Sequence, residues 1–265
     1  MNKYKIFNNI AEDGLSILSD HQFEEVAENP DGLLLRSHKL TEKEFGKNLS
    51  CIARAGAGTN NIPIEDATKK GIVVFNTPGA NANAVKELVI CGMLLSSRGI
   101  VEGINFAQNL DLDDPEALNK AMESQKKTFA GNELAGKTLG IVGLGAIGSM
   151  LAQAAQTLGM NLVGYDPHIS IEAAWRLPRE VKKADSMEAL LKESDYVSLH
   201  VPLVETTKNL INSSNLKKFK KGARLINLSR GGIVNSDDVI SELENGNLDK
   251  FVTDFPTPAL IQRSA

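Results

Sequence analysis

Leu139-Gly140-Ile141-Val142-Gly143-Leu144-Gly145-Ala146-Ile147-Gly148, read with Tyr165-Asp166-Pro167 downstream, decides how this chain folds. Three glycines at G-x-G-x-x-G spacing are a weak signal in a chain that holds 22 of them. The flanks make the signal strong. An apolar run, Leu139 to Val142, enters the glycines, and a helical stretch free of Gly and Pro, Ser149 to Leu158, leaves them. A second apolar run, Leu162 to Tyr165, ends in an acid 18 residues past Gly148 (148 to 166). Strand, glycine turn, helix, strand and acid in that order form the dinucleotide-binding βαβ unit. Gly143 is expected to allow the tight turn, Gly145 close approach to a pyrophosphate, and Gly148 close helix–strand packing. The phosphate charge would rest on the unpaired N–H groups of the helix start, at Gly145, Ala146 and Ile147. Asp166 would accept from both adenine-ribose hydroxyls and repel a 2′-phosphate, which favours NAD over NADP. The plainer alternative is a tight βα turn with a capping Asp.

Around this core the composition is ordinary. The chain has 265 residues, 42% hydrophobic and 23% charged, which suits one large or two modest domains. The net charge of −4 is spread without long runs, so no nucleic-acid footprint is present. The longest basic cluster, Lys217-Lys218-Phe219-Lys220-Lys221, reads as a solvated helix end that complements the helix dipole. Cys51 and Cys91 lie in apolar stretches 40 residues apart (51 to 91), so buried free thiols in a reducing compartment are expected, with no metal spacing. The start, Met1 to Ile6, has no signal-peptide core, and no apolar run reaches membrane-spanning length. A cytoplasmic protein with no membrane partner is expected.

Short β-like and helical runs alternate on both sides of the fingerprint. Before it, Tyr4–Phe7, Gly32–Arg36, Ser50–Ala53 and Ile72–Phe75 read as strands, and Glu12–Leu18, Glu42–Phe45 and Pro63–Lys70 as helices. Asn83 to Ser97 reads as one helix at the boundary. The stretch from Asn109 to Gly136 holds helix formers with little apolar periodicity and reads as a surface excursion. After the fingerprint, Met187–Leu191, Ser214–Phe219 and Ser236–Leu243 read as helices, and Tyr196–His200, Arg224–Leu228 and Lys250–Thr253 as strands. The expected fold is α/β with two domains, 1–82 and 83–265, the second a doubly wound sheet. Eleven residues follow Asp254 (255 to 265), too few for another βα unit, so the second domain is expected to be incomplete at its C-terminus and to lack a final strand.

A second motif, Asn227-Leu228-Ser229-Arg230-Gly231-Gly232, follows the strand Arg224–Leu228. An Arg at the C-terminal end of such a strand points into the crevice where doubly wound sheets bind ligands. Its guanidinium suits bidentate carboxylate recognition. Two glycines behind it would let the backbone turn away sharply. An Arg salt-bridged at a strand end is the alternative.

With these blocks in view the chain resembles the D-isomer-specific 2-hydroxyacid dehydrogenases, and within them the phosphoglycerate-oxidising branch. The resemblance runs over essentially the whole chain. It is carried by Leu34-Leu35-Arg36-Ser37, Arg54-Ala55-Gly56-Ala57-Gly58-Thr59-Asn60-Asn61, Phe75-Asn76-Thr77-Pro78-Gly79, Gly136 to Gly143, Gly164-Tyr165-Asp166-Pro167 and Asn227 to Val234. It implies a flavodoxin-like substrate domain (1–82), a Rossmann NAD-binding domain (83–265), and hydride transfer between the nicotinamide C4 and the C2 carbon of a 2-hydroxy acid. Arg230 would clamp the substrate carboxylate and polarise the C2 oxygen. Backbone N–H groups of Gly56, Ala57 and Gly58 would hold the same carboxylate, and Arg36, Arg54 and Asn81 match positions on the substrate side. Two extra cations there suit a phosphorylated substrate. Val201, Leu228, Ser229, Arg230 and Asp254 match the cofactor side, with Asp254 toward the nicotinamide.

The reaction so implied is NAD-dependent oxidation of D-3-phosphoglycerate, as in serine biosynthesis, by a homodimer or higher homo-oligomer. The alternatives are a glyoxylate- or hydroxypyruvate-type reductase and a catalytically silent NAD-binding regulator. The family's His and its orienting Glu have no match here: residues 255–265 contain no His, Glu or Asp. His21, His38, His168 and His200 read as surface or strand-end residues rather than substitutes.

Overall fold

A computed structural model describes residues 2–110 and 114–263. Positions 111–113 of the expected surface excursion, Met1 and the last two residues of the tail lie outside the described residues. The chain divides into two compact units, Met1–Asn81 and Ala82–Ala265.

In the first unit β1 (Asn2–Phe7), α1 (Glu12–Asp20), β2 (Phe23–Glu25), β3 (Gly32–Leu35), β4 (Cys51–Arg54), α2 (Ile64–Lys69) and β5 (Val73–Phe75) follow one another. The sheet has the order β2-β1-β3-β4-β5, parallel throughout, which is the flavodoxin-like arrangement. Leu33, Leu35 and Ile52 are fully buried and pack with Leu40, Phe45, Ile62, Ala67 and Ile72. The run Gly32–Leu35 is apolar without alternation because both faces of a parallel strand are covered. Four strands are legible in the sequence of this unit; the fifth, Phe23–Glu25, is a half-exposed edge strand.

The second unit opens with α3 (Ala82–Ser97), α4 (Ile100–Gln108) and α5 (Pro115–Gln125). Asp114 caps α5 by accepting the Glu116 N–H at 3.0 Å, and Pro115 occupies the first helical position. The polar stretch thus carries a well-capped helix with no buried residue. Then come β6 (Thr138–Val142), α6 (Ala146–Thr157), β7 (Asn161–Tyr165), α7 (Ile171–Trp175), β8 (Lys182–Lys183), α8 (Met187–Glu193), β9 (Tyr196–Leu199), α9 (Ser213–Leu216), β10 (Ala223–Asn227), α10 (Ser236–Glu244), β11 (Leu248–Thr253) and α11 (Pro258–Arg263). All strands are parallel in the order β11-β10-β9-β6-β7-β8. Counted from β6 as the first, this is 3-2-1-4-5-6, the order of dinucleotide-binding sheets. No strand follows Thr253 among the described residues; a short helix, Pro258–Arg263, takes its place.

Two cores cover the two faces of this sheet. One face packs Val197, Leu199, Leu225, Leu190 and Leu191; the other packs Leu139, Ile141, Tyr196 and Ile226 against Val89, Met93 and Leu151. At the N-terminal edge, Arg224 is buried with its Nη2 2.5 Å from Asp249 Oδ2 and its Nε donating to the Ser96 carbonyl at 2.9 Å. That guanidinium caps the C-terminal turn of α3.

Two expectations need correction. Cys51 is only half-buried, and Cys91 is exposed because the segment 88–95 of α3 is apolar on every side and Cys91 falls on its outer face with Leu88, Leu94 and Leu95. The helix expected over Ser214–Phe219 is one turn, Ser213–Leu216, so the lysines lie mostly beyond it. Lys218 pairs with Glu188 at 3.4 Å and Lys220 with Asp195 at 2.6 Å.

Candidate functional site

Because every strand of the second sheet runs the same way, Val142, Tyr165, Leu199, Asn227 and Thr253 all end on one edge. The segments leaving that edge hold Gly143 to Gly148, Asp166, Val201, Leu228 to Arg230 and Asp254. The chain reverses its direction of winding between β6 and β9, so Gly143 and His200 face one another across the switch point. Gly143 has φ of 93°, and a Cβ there would stand 2.5 Å from the His200 carbonyl oxygen and 3.1 Å from Val201 Cγ1. No L side chain fits that turn. Gly145 is different: a Cβ on it would meet nothing within 4 Å, so the space above it is open to a ligand.

The helix behind these glycines starts bare. Gly145 is the N-cap of α6, no side chain caps it, and its first turn holds no acid. By contrast α8 and α10 are capped by Ser186 and Asn235. The first-turn N–H groups of α6 therefore point, with the positive end of the helix dipole, into the space over Gly145. These features fit a pyrophosphate.

Asp166, half-buried at the end of β7, uses both oxygens: Oδ2 accepts the Leu144 N–H at 2.8 Å and Oδ1 the His168 N–H at 2.9 Å. A carboxylate has about four acceptor sites, so two remain for ribose hydroxyls. The capping alternative and the ribose reading are thus compatible in one residue.

Arg230 leaves the adjacent strand through a turn built by Asn227. The Asn227 side chain accepts the Ser229 N–H at 3.2 Å and donates to the Arg230 carbonyl at 2.9 Å, while Ser229 Oγ donates to the Leu199 carbonyl at 2.6 Å. Arg230 Nη1 donates to the Ser229 carbonyl at 2.6 Å, and the guanidinium, half-buried, has no ion-pair partner among the described residues. The salt-bridged alternative therefore has no support here. Asn227 is the residue that sequence reasoning passed over; an Asn two residues before a loop N–H is an Asx-turn signal. Gly231 and Gly232 do not have positive φ. They are small because Phe255 and Leu203 lie 3.2 Å from where their Cβ atoms would stand. Asp254 is exposed directly after β11.

His200 directly follows β9 and is half-buried. Its Nε2 lies 2.9 Å from Ser198 Oγ, and its Nδ1 is buried without a hydrogen-bond partner. Desolvation pulls its pKa from 6.5 down to about 4, so it is neutral at pH 7. His21 and His168 are exposed.

In the first unit, Arg36 and Arg54 sit at the C-terminal ends of β3 and β4, and Arg54 Nε donates to the Arg36 carbonyl at 3.0 Å. In the loop after β4, Gly56 donates its N–H to the Arg54 carbonyl at 2.9 Å and the Asn76 amide holds the Ala57 carbonyl at 2.7 Å. The N–H groups of Ala57 and Gly58 have no protein acceptor among the described residues. Asn81 is exposed at the end of this unit.

Residues 94–263 match the family model of the D-isomer-specific 2-hydroxyacid dehydrogenase NAD-binding domain. The chain is 38% identical over 236 residues to a D-3-phosphoglycerate dehydrogenase of Synechocystis, matching 87% of this chain and 40% of that protein. It is 37% identical over 255 residues to a hydroxypyruvate reductase of Thermotoga maritima, matching 92% of this chain and 78% of that protein. A crystal structure of NAD+-bound 3-phosphoglycerate dehydrogenase from Entamoeba histolytica superposes with a TM-score of 0.75 at 28% identity, covering 99% of this chain and 83% of that one. The chain thus spans under half the length of the Synechocystis relative.

Proposed function

This chain belongs to the D-isomer-specific 2-hydroxyacid dehydrogenases, an NAD-binding family, and we propose that it catalyses oxidoreduction at C2 of a three-carbon 2-hydroxy acid, D-3-phosphoglycerate first among them. The observation that carries this reading is Arg230, a half-buried guanidinium without an ion-pair partner among the described residues, on the same sheet edge as the dinucleotide turn. A cation so held takes a carboxylate in bidentate fashion and draws charge from the neighbouring C2 oxygen. Bound NAD supplies the hydride acceptor. Around it, the α6 N-terminus and the Gly145 gap would hold the pyrophosphate, and Asp166 the adenine ribose. Val201, Leu228, Ser229 and Asp254 would line the rest of the cofactor. In the first unit, the Ala57 and Gly58 N–H groups, Arg36, Arg54 and Asn81 are the groups proposed to bind substrate.

None of the four histidines is assigned the proton of the C2 oxygen. His200 is kept neutral with its pKa near 4, too acidic a conjugate acid to work well at pH 7. A matched acid or base contributes about 10²–10⁴-fold of rate in such a step.

Reduction of hydroxypyruvate or glyoxylate is the second reading, favoured by the likeness to the Thermotoga maritima protein over most of its length. Following NADH absorbance with 3-phosphohydroxypyruvate, hydroxypyruvate and glyoxylate separates the two. NADH binding with no binding or turnover of any of the three acids would refute both.

A further inference from the structure

The Lys86 side chain is only 18% exposed, although lysines ordinarily reach into water. It lies near the start of α3, which runs against the strands. Gly92 of that helix packs on Val252 of β11, the Ser96 carbonyl meets Arg224 at the start of β10, and Ser97 Oγ lies 2.7 Å from Tyr196 Oη at the start of β9. The N-terminus of α3 therefore lies at the sheet edge from which Gly143 and Arg230 leave. Beside it α6, the crossover between parallel β6 and β7, runs the same way, and Val89 and Met93 share a core with Leu151 and Ala152. The two helix starts are neighbours on that edge. Val252 stands level, through Ile226 and Ser198, with Ile141 of β6. Six residues before Gly92, Lys86 is about 9 Å nearer the edge at about 1.5 Å per residue. That length of strand leads from Ile141 to about Leu144, within the glycine turn. In azimuth, steps of about 100° put Lys86 within about 20° of Met93 and Ser97, so it looks toward β9 and α6 rather than β11. Its Nζ turns toward the helix start and donates to Asn83 Oδ1 at 2.6 Å, and Asn83 Nδ2 donates to Glu87 Oε1 at 2.8 Å. Glu87 Oε1 is 3.8 Å from Nζ, too far for a hydrogen bond. Two of the three ammonium donors are thus left over among the described residues.

We propose that Lys86 is a cationic contact for the pyrophosphate of the dinucleotide, reaching it from α3 beside the start of α6. This rests on the placement of NAD at the glycine turn and adds to it a residue outside the fingerprint. Charge supports the assignment. The pyrophosphate carries two negative charges, whereas the bare start of α6 offers roughly half an elementary charge of the opposite sign. Residues 143–149 contain no Lys or Arg, so the turn itself supplies no cation. A lysine held at the neighbouring helix start provides a full one, and its bond to Asn83 fixes the ammonium on the side of the edge. The plain alternative is a stem that covers apolar surface and a head satisfied by Asn83 and Glu87, which leaves the dinucleotide indifferent to it.

The test is calorimetric titration at low salt with NADH and with ADP-ribose, which keeps the pyrophosphate, and with adenosine, which lacks it, by competition against NADH. Lys86→Met, which keeps the apolar stem, is expected to weaken NADH and ADP-ribose about fivefold or more and to leave adenosine unchanged. Lys86→Arg, which keeps a cation, should retain most of the affinity. The gap between the unaltered chain and Lys86→Met should narrow as salt is raised. Where Lys86→Met fails to fold, Lys86→Gln, which can still donate to Asn83, reads the same loss. Unchanged NADH affinity in a folded Lys86→Met or Lys86→Gln overturns the proposal, as does an equal loss for all three ligands, the signature of a purely structural role. If Gly145→Ala loses NADH while Lys86→Met does not, the Lys86 contact alone falls. If neither variant loses NADH, the pyrophosphate lies elsewhere and the placement at the glycine turn falls with it.

Discussion

Asp166 Oδ2 accepts the Leu144 N–H at 2.8 Å, so the end of β7 is tied to the glycine turn that leaves its neighbour β6. The carboxylate proposed to read the ribose is therefore also a strut of the turn proposed to receive the pyrophosphate. Asp166→Ala should weaken NAD more than tenfold and also strand the part-buried Leu144 N–H, a cost of roughly 1–3 kcal/mol at most, while the exposed His168 N–H turns to water. NADP, whose 2′-phosphate the proposed Asp166 contact disfavours, should lose much less. Calorimetry with both dinucleotides checks this, and equal tight binding of NADP by the unaltered chain would remove the assignment.

Gly143 and Gly145 should respond in opposite ways to the same methyl group. Gly143→Ala places a Cβ 2.5 Å from the His200 carbonyl at φ of 93°, so folding stability should fall by more than about 1 kcal/mol. Gly145→Ala meets no protein atom within 4 Å. It should melt near the parent temperature yet lose most of its NAD affinity. Thermal unfolding and NAD titration of the two variants, side by side, separate a fold glycine from a ligand glycine.

Arg230→Lys keeps the charge and loses the planar fork. Binding of a 2-hydroxy acid should drop by about one to two decades, and further in Arg230→Ala. Asn227→Ala should imitate part of this, because it removes both hydrogen bonds that shape the Arg230 turn. Acid affinity that survives in Arg230→Ala would mean that the carboxylate is clamped elsewhere.

Stability should carry a mark of His200. Its pKa is about 4 in the folded chain against 6.5 ordinarily, so between these values the unfolded chain binds the extra proton and the folded chain does not. Stability then falls as pH drops from about 6.5 toward 4 and is unaffected by this group above that window. The urea midpoint of His200→Asn, compared with the parent across pH 4 to 7.5, should fall less steeply. Parallel curves would show that His200 titrates normally.

The parts of the fold that were legible from sequence are those in which one residue type has one physical reading. Leu139 to Gly148 is an apolar parallel strand running into a turn that excludes side chains, and Arg224 to Gly232 repeats the pattern with a cation. Phe23–Glu25 and Lys182–Lys183 escaped notice because edge strands of three and two residues carry no apolar run. Their pairing is dictated by the neighbouring strand rather than by their own composition. The exposure of Cys91 is not legible because the α3 stretch 88–95 around it is apolar on every side and does not tell the inner face from the outer. The 2.7 Å contact of His38 Nε2 with Glu44 Oε1 was invisible for another reason. It depends on how a loop closes over Phe7, on whose ring His38 stacks, and no helical or strand period links positions six apart (38 to 44).

The bare start of α6 has a consequence for the protein in a cell. At the proposed site, a helix terminus that no side chain satisfies would make the coenzyme part of the folded state's own hydrogen-bond inventory. Mass action then sets how much of the chain is folded: a free coenzyme level of a hundred times its dissociation constant adds about 2.7 kcal/mol. A variant weakened by about that much, anywhere in this unit, would persist where coenzyme is plentiful and be lost where it is scarce. Its abundance would then follow the redox nutrition of its host.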